Sequence, residues 1–173
     1  MADAAARTID VTVHYLEMCA PPHRAAPAPA AGVEVVRVLS PSVAHYRFLY
    51  DAVGRDLHWV DRKKLSDDEL AAIVQDPANE LYVLHVDGAP AGMAELDRRR
   101  RDEIELAYFG LMPEFRGRGL GRWLLDWIID RAWSYAPRRL WLHTCTLDHP
   151  AALPLYRKAG FVPYREEACR QEL

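Results

Sequence analysis

The stretch Leu111-Met112-Pro113-Glu114-Phe115-Arg116-Gly117-Arg118-Gly119-Leu120-Gly121 constrains this chain more than any other. It leads into Arg122-Trp123-Leu124-Leu125-Asp126-Trp127-Ile128-Ile129. The pattern is a strand end, a turn with three alternating glycines, and an apolar helix. Glycine admits positive φ and lets a ligand come close to the main chain. Successive N–H groups then converge at the positive end of the following helix, a ready site for phosphate oxygens. Arg116, Arg118 and Arg122 add positive charge around it. No Gly-Lys-Ser/Thr closes the turn, so it is not a P-loop, and the glycine spacing does not fit the dinucleotide fingerprint. The helix, predicted from Gly119 to Tyr135, sets Leu120, Trp123, Leu124, Trp127, Ile128 and Ala132 on one buried stripe.

The flanks read as alternating strands and helices. Thr8 to Met18 alternates as a strand, and the Pro/Ala-rich run Ala20–Gly32 follows as an extended loop. Val33–Leu39 is the next strand. Ser42 opens a helix that Gly54 closes, with Pro41 just ahead of it. A mixed aromatic and charged loop, Arg55–Lys64, leads to the capping box Ser66-Asp67-Asp68-Glu69. Glu80–Val86 and Ala91–Leu96 form a hairpin about Asp87-Gly88, and Ile104–Met112 is the strand after it. Beyond the apolar helix come a strand (Arg139–Thr146), a helix over residues 149–159 and a last strand from Phe161 to Tyr164. Pro154 is expected to kink that last helix. The fold class is mixed α/β.

Composition narrows the function. The 173 residues suit one ordinary domain, preceded by a strand and loop over residues 1–32. A net charge of −3 argues against a generic nucleic-acid binder. Acidic residues bracket the Arg98–Arg101 run, which reads as a solvated hairpin tip. Cys19, Cys145 and Cys169 show neither metal-ligand spacing nor a disulfide framework, and no apolar segment reaches membrane-span length. A cytoplasmic protein is the expectation.

Arg116-x-x-Gly119-x-Gly121 resembles the acyl-CoA pyrophosphate loop of the GNAT superfamily of N-acetyltransferases. Ile104–Leu111 resembles that family's central strand, and Asp148–Phe161, with its Tyr-x-x-x-Gly-Phe, its second signature. The likeness spans about residues 33 to 165. It implies a central twisted mixed sheet flanked by helices over residues 33–173, with the N-terminal strand and Pro/Ala-rich loop as additions. It implies acetyl-CoA as cosubstrate and an amine acceptor, while the charge balance, the cysteine spacing and the lack of a membrane-length apolar run lead to the expectation of no metal and neither a nucleic-acid nor a membrane partner. No activated nucleophile is visible for a covalent intermediate, so direct attack in a ternary complex is expected. A non-catalytic acyl-CoA-binding module is the alternative. A homodimer is compatible with the pattern, and the N-terminal strand is expected to cover a sheet edge.

The resemblance also assigns roles. Backbone groups of Arg116, Gly117, Arg118, Gly119, Leu120 and Gly121 would hold the pyrophosphate. The end of the central strand, Phe109, Gly110, Leu111 and Met112, would present an N–H to the thioester oxygen, worth about 3–4 kcal/mol in such sites. Gly110 is read as a bulge or a close ligand approach. Asp148 stands where an asparagine is common and either contacts the cofactor or caps the last helix. An alkylamine with a pKa of about 10.4 must lose a proton before it attacks. Glu105 is the first candidate to take it, with Glu95 second. Tyr156 would protonate the departing thiolate. His143 is read first as a satisfied histidine on a half-buried strand, with assistance in proton transfer as the alternative, and Cys145 as a small apolar residue. Trp59 and Tyr108 would shape the acceptor pocket, where Asp56 and Asp61 suit a cationic amine. The acceptor's identity and the acyl length stay open.

Overall fold

A computed structural model describes residues 8–172. Its strands are β1 (Thr8–Met18), β2 (Val33–Val38), β3 (Asn79–Val86), β4 (Ala89–Asp97), β5 (Glu103–Leu111), β6 (Arg139–Cys145) and β7 (Val162–Glu172). Its helices are α1 (Val43–Val53), α2 (Asp67–Val74), α3 (Leu120–Trp133) and α4 (Ala152–Ala159). Short 3₁₀ turns occupy Asp61–Lys63 and Pro113–Phe115. All seven strands form one sheet in the order β2-β3-β4-β5-β6-β1-β7.

Local chemistry sets many of the boundaries. Ser42 accepts the His45 N–H at 3.2 Å to start α1. Ser66 and Glu69 form the expected reciprocal box at α2. Asp87 (φ 50°) and Gly88 (φ 81°) close the β3–β4 hairpin with both central residues at positive φ. Helices α1 and α2 pack their apolar faces, including Tyr46, Leu49, Val53, Leu70 and Val74, on Leu81, Val83 and Met93. Helices α3 and α4 cover the other face with Leu125, Ile128, Ile129 and Tyr156 against Leu106, Leu140 and Leu142.

Two features open the sheet. The β4–β5 register shifts so that Glu95 faces Tyr108 and Leu96 faces Leu106, leaving Ala107 as an extra residue. This bulge re-aims the strand. Leu106 faces the α3 core, while Glu105 and Tyr108, three residues apart, share the opposite side. Strands β5 and β6 pair in parallel only from Glu103↔Arg139 through Glu105↔Trp141. Past that rung they diverge.

Several expectations change here. The bulge falls at Ala107, not Gly110. A Cβ on Gly110 would lie 2.7 Å from Val53 Cγ1, so that glycine admits helix α1. Strand β1 is not an edge cover: it lies inside the sheet, antiparallel to β6 on one side and β7 on the other. The last strand runs to Glu172 rather than Tyr164. Pro154 sits in the first turn of α4, where N–H groups have no intrahelical acceptor, so it costs no helical bond. The buried side of α3 is rotated: Leu124, Leu125, Ile128, Ile129 and Ala132 are buried, while Trp123 and Trp127 lie at its margin. The Pro/Ala-rich segment crosses beside them, and Trp123 Nε1 donates to the Pro27 carbonyl at 2.8 Å.

Candidate active site

The divergence of β5 and β6 creates a cleft of about 820 Å³. One wall is the β5 end, from Leu106 to Leu111. The floor is the glycine turn with Arg116, Gly117, Gly119 and Gly121. The far wall carries His143, Thr144, Cys145, Asp148 and Tyr156. Tyr50, Trp59 and Asp61 close one end, and Val13, Cys169 and Gln171 from β1 and β7 reach it from the other side.

The glycine turn presents an unusually bare backbone. Gly117 (φ 78°) and Gly119 (φ 77°) are left-handed, and a Cβ on either would meet open space. The first helical bond of α3 is Trp123 N–H to Gly119 O. Among the described residues, no hydrogen bond uses the N–H groups of Gly117, Arg118, Gly119, Leu120, Gly121 or Arg122. No side chain caps α3. Six consecutive donors at the positive end of a helix therefore face solvent space.

The strand wall has its own donors. Met112 N–H pairs with Ala91 O on the β4 side at 2.8 Å. Alternation along the antiparallel ladder then gives Gly110 and Tyr108 to β4 and turns the N–H groups of Phe109 and Leu111 toward the cleft. Burial of the Tyr156 side chain, helped by the charge of Asp148, raises its pKa, so the phenol stays protonated at neutral pH. Its ring meets Phe109 and Phe161 edge-on at 6.1 and 6.2 Å. The Tyr156 hydroxyl has no hydrogen-bond partner among the described residues.

At the end of the cleft that Asp61 closes, Tyr50, Trp59 and Tyr108 form a triangle of rings with centroids 5.1 to 5.2 Å apart. Beside them His143 Nδ1 lies 3.2 Å from Glu105 Oε1. The contact with Glu105 raises the His143 pKa against the opposing effect of burial.

The family description "Acetyltransferase (GNAT) family" matches residues 46–161. The chain belongs to the GNAT acetyltransferase family. It is 39% identical over 75 residues to a mycothiol acetyltransferase of Acidothermus cellulolyticus, a match covering 43% of this chain and 21% of that protein. It is 39% identical over 71 residues to the N-alpha-acetyltransferase RimI of Mycobacterium tuberculosis, covering 41% of this chain and 42% of RimI. The matched stretches thus span less than half the length of either relative. A GCN5-related N-acetyltransferase structure from Sphaerobacter thermophilus superposes with a TM-score of 0.67 at 20% identity, over 96% of this chain and 53% of that one. That likeness establishes the GNAT-like fold.

Within this GNAT chain the cleft gathers Phe109, Gly110, Leu111, Arg116, Gly117, Gly119, Gly121, Asp148 and Tyr156 from the sequence-predicted site. It does not gather the rest. Met112 is buried against α1 and α2. The Arg118 guanidinium lies over the Phe115 ring, and Leu120 packs with Leu111 and Leu124. Glu105 stands behind His143 rather than in the lining. Arg116 is not a free cation: it is bound to Asp56 and to the carbonyls of Leu111 and Val53. Arg122 is tied to Asp126 at 2.9 Å. Asp148 does not cap α4, whose N-cap is Ala151. It accepts from Thr144 Oγ1 and from the Cys145 N–H, fastening the loop after β6. Glu95 is fully buried and engaged by Tyr46, Arg62 and Asn79, so it anchors the Arg55–Lys64 loop through Arg62 and does not reach the cleft.

Sequence reasoning missed the contributions of Val13, Cys169 and Gln171, and ranked a satisfied histidine ahead of a proton-transfer role for His143. The β7 residues carry too many charges to read as a strand, and only pairing with β1 brings them to the cleft. His143 had a usable signal: it lies on β6 just beyond the last β5–β6 rung, facing the side of Glu105.

Proposed function

We propose that this protein is an acetyl-CoA-dependent N-acetyltransferase that acetylates a primary amine by direct attack in a ternary complex. One observation carries the reading: the glycine turn holds six consecutive unpaired backbone donors, and four of the residues that carry them, Gly117, Gly119, Gly121 and Arg122, line the cleft between β5 and β6. Uncharged, fixed N–H donors suit a diphosphate, and the two positive-φ glycines keep side chains out of its way. The cleft volume is in the range that holds a cofactor-sized ligand.

The remaining residues fit the needs of acetyl transfer. The N–H groups of Phe109 and Leu111 are placed to receive the thioester oxygen as it gains negative charge. Tyr156, neutral and without a protein partner, donates its hydroxyl proton to the departing sulfur. The amine enters from the end lined by Trp59, Tyr108 and Asp61 and loses its proton at the Glu105–His143 end. The alignment with an N-alpha-acetyltransferase supports a nitrogen acceptor as a class.

Calorimetric titration with acetyl-CoA and CoA, with ATP and NAD as controls, tests the cofactor. Selective binding of both CoA forms is expected. Thiol release with a panel of primary amines then tests the transfer. Binding without turnover of any amine would leave an acyl-CoA-binding module. No binding of either CoA form would return the glycine turn to a purely structural role.

A further inference from the structure

Resting on the acetyl-transfer reading above, we propose that His143 is the residue that takes the proton from the acceptor amine, and that Glu105 acts through it as a positioning residue. Of the two, only His143 lines the cleft. The His143 side chain is 45% exposed and that of Glu105 only 19%. An incoming ammonium therefore meets the imidazole first.

Nδ1 is the ring nitrogen beside the Glu105 carboxylate, 3.2 Å away, and the carboxylate favours the neutral tautomer that carries its proton on that nitrogen. Nε2 keeps its lone pair and has no partner among the described residues. Both side chains are fixed by the sheet. Glu105 stands on the last β5–β6 rung, opposite Trp141, and His143 follows two residues along β6 on the same face. The Tyr15 and Trp141 rings flank the imidazole at 5.8 and 6.3 Å between centroids.

The charges facing His143 are mostly negative. Glu105 faces it from β5, Asp61 from the first 3₁₀ turn and Asp148 from the loop after β6, and all three favour the imidazolium. Of the cations that line the cleft, Lys64, Arg116, Arg122 and Arg170, the three arginines are paired with Asp56, Asp126 and Asp10 respectively. Tyr15, Cys145 and Cys169 complete the titratable neighbours. An imidazole so placed is more basic than usual yet neutral often enough to accept a proton near neutral pH.

The step balances. The amine proton passes to Nε2, the freed nitrogen pair forms the N–C bond with the thioester carbon, and the C–S bond breaks. The sulfur leaves with the Tyr156 proton, the second proton that the nitrogen sheds on becoming an amide restores the Tyr156 hydroxyl by way of solvent, and His143 returns its proton to solvent.

Two measurements test this. The first is the pH profile of thiol release from acetyl-CoA with butylamine, benzylamine and glycinamide as probe amines. His143→Gln should lose about 10²–10⁴-fold in kcat and lose the acidic limb of the profile. Glu105→Gln should keep that limb, displaced to lower pH, with roughly tenfold lower kcat and acetyl-CoA affinity unchanged. A Glu105→Gln protein without the limb, beside a His143→Gln protein that retains it, would overturn the assignment and make Glu105 the base.

The second is an NMR titration of the His143 ring in the protein without acetyl-CoA. Its midpoint should lie above the ordinary imidazole value and fall in Glu105→Gln. An identical midpoint in both proteins would overturn the pairing. This readout needs no turnover. Failure to bind acetyl-CoA would remove the function reading, and the base assignment with it, while the titration still decides the pair.

Discussion

Asp56 grips Arg116 through both terminal guanidinium nitrogens, at 2.5 and 2.9 Å, joining the Arg55–Lys64 loop to the glycine turn. Arg55 and Glu114 repeat the link alongside at 2.5 Å. The Arg116 guanidinium also bonds the carbonyls of Val53 and Leu111, so one side chain ties the end of α1 to the end of β5. The Arg116 contact holds the Asp56 carboxyl below its ordinary pKa, although partial burial opposes this. Asp56→Asn should therefore loosen the segment carrying Trp59 more than the glycine turn. The pair is partly exposed, so the stability loss should stay within about 1 kcal/mol. The expected signature is a several-fold rise in amine KM with little change in acetyl-CoA affinity. A loss of acetyl-CoA affinity with amine KM untouched would show that the clasp serves the cofactor instead.

Gly119 separates shape from charge in the glycine turn. Its φ of 77° penalises any side chain by roughly 1–2 kcal/mol, yet a Cβ there meets no neighbour within 4 Å. Gly119→Ala should fold and bind acetyl-CoA with a modest loss. Gly119→Asp places a carboxylate among the donors intended for phosphate and should weaken binding by 100-fold or more, since a fixed like charge adds to the backbone cost. Calorimetry on both folded variants checks this. Equal, tight binding by both would put the pyrophosphate elsewhere.

Tyr156→Phe keeps the ring contacts with Phe109 and Phe161 and removes only the hydroxyl. That hydroxyl bonds no described residue, so thermal stability should hardly change. Turnover should drop by about 10²-fold if the phenol protonates the thiolate. Because burial raises its pKa, the phenol stays protonated well into alkaline solution, and a basic limb in the rate profile should survive the substitution. An unchanged kcat would mean that sulfur leaves without help from Tyr156.

What the sequence made legible was local. The three-glycine turn, the Ser66–Glu69 box and the Asp87-Gly88 hairpin each carry their signal within a few residues, and the structure has them where expected. The features that depend on distant partners were not legible. Strand β1 pairs with residues more than 120 positions away, and its placement inside the sheet leaves no local trace. The bulge falls on Ala107, whose type announces nothing, while Gly110 drew attention for a packing reason. Glu95 looked like Glu105 because both are strand glutamates. Only the convergence of Tyr46, Arg62 and Asn79 distinguishes a buried anchor from a carboxylate beside the cleft.

Glu80 offers a stability test away from the cleft. Its side chain is fully buried on β3 and contacts Arg37, Arg98 and Arg131. Tyr82 and Tyr135 donate to it at 2.5 and 2.6 Å. Burial alone would raise its pKa, but the Tyr135 and Tyr82 hydrogen bonds and the charges of Arg98 and Arg37 outweigh burial and lower it. A carboxylate with a depressed folded-state pKa stabilises the fold fully above its unfolded pKa, and that contribution is lost as pH falls through the folded value. Glu80→Gln, which removes the charge that three arginines share, should cost about 3 kcal/mol at pH 7. The gap from wild type should narrow as the medium is acidified below the ordinary carboxylate range. Urea denaturation at neutral and acidic pH measures both numbers. A gap that stays constant with pH would show that Glu80 is held by packing and its tyrosine contacts, with its charge contributing nothing.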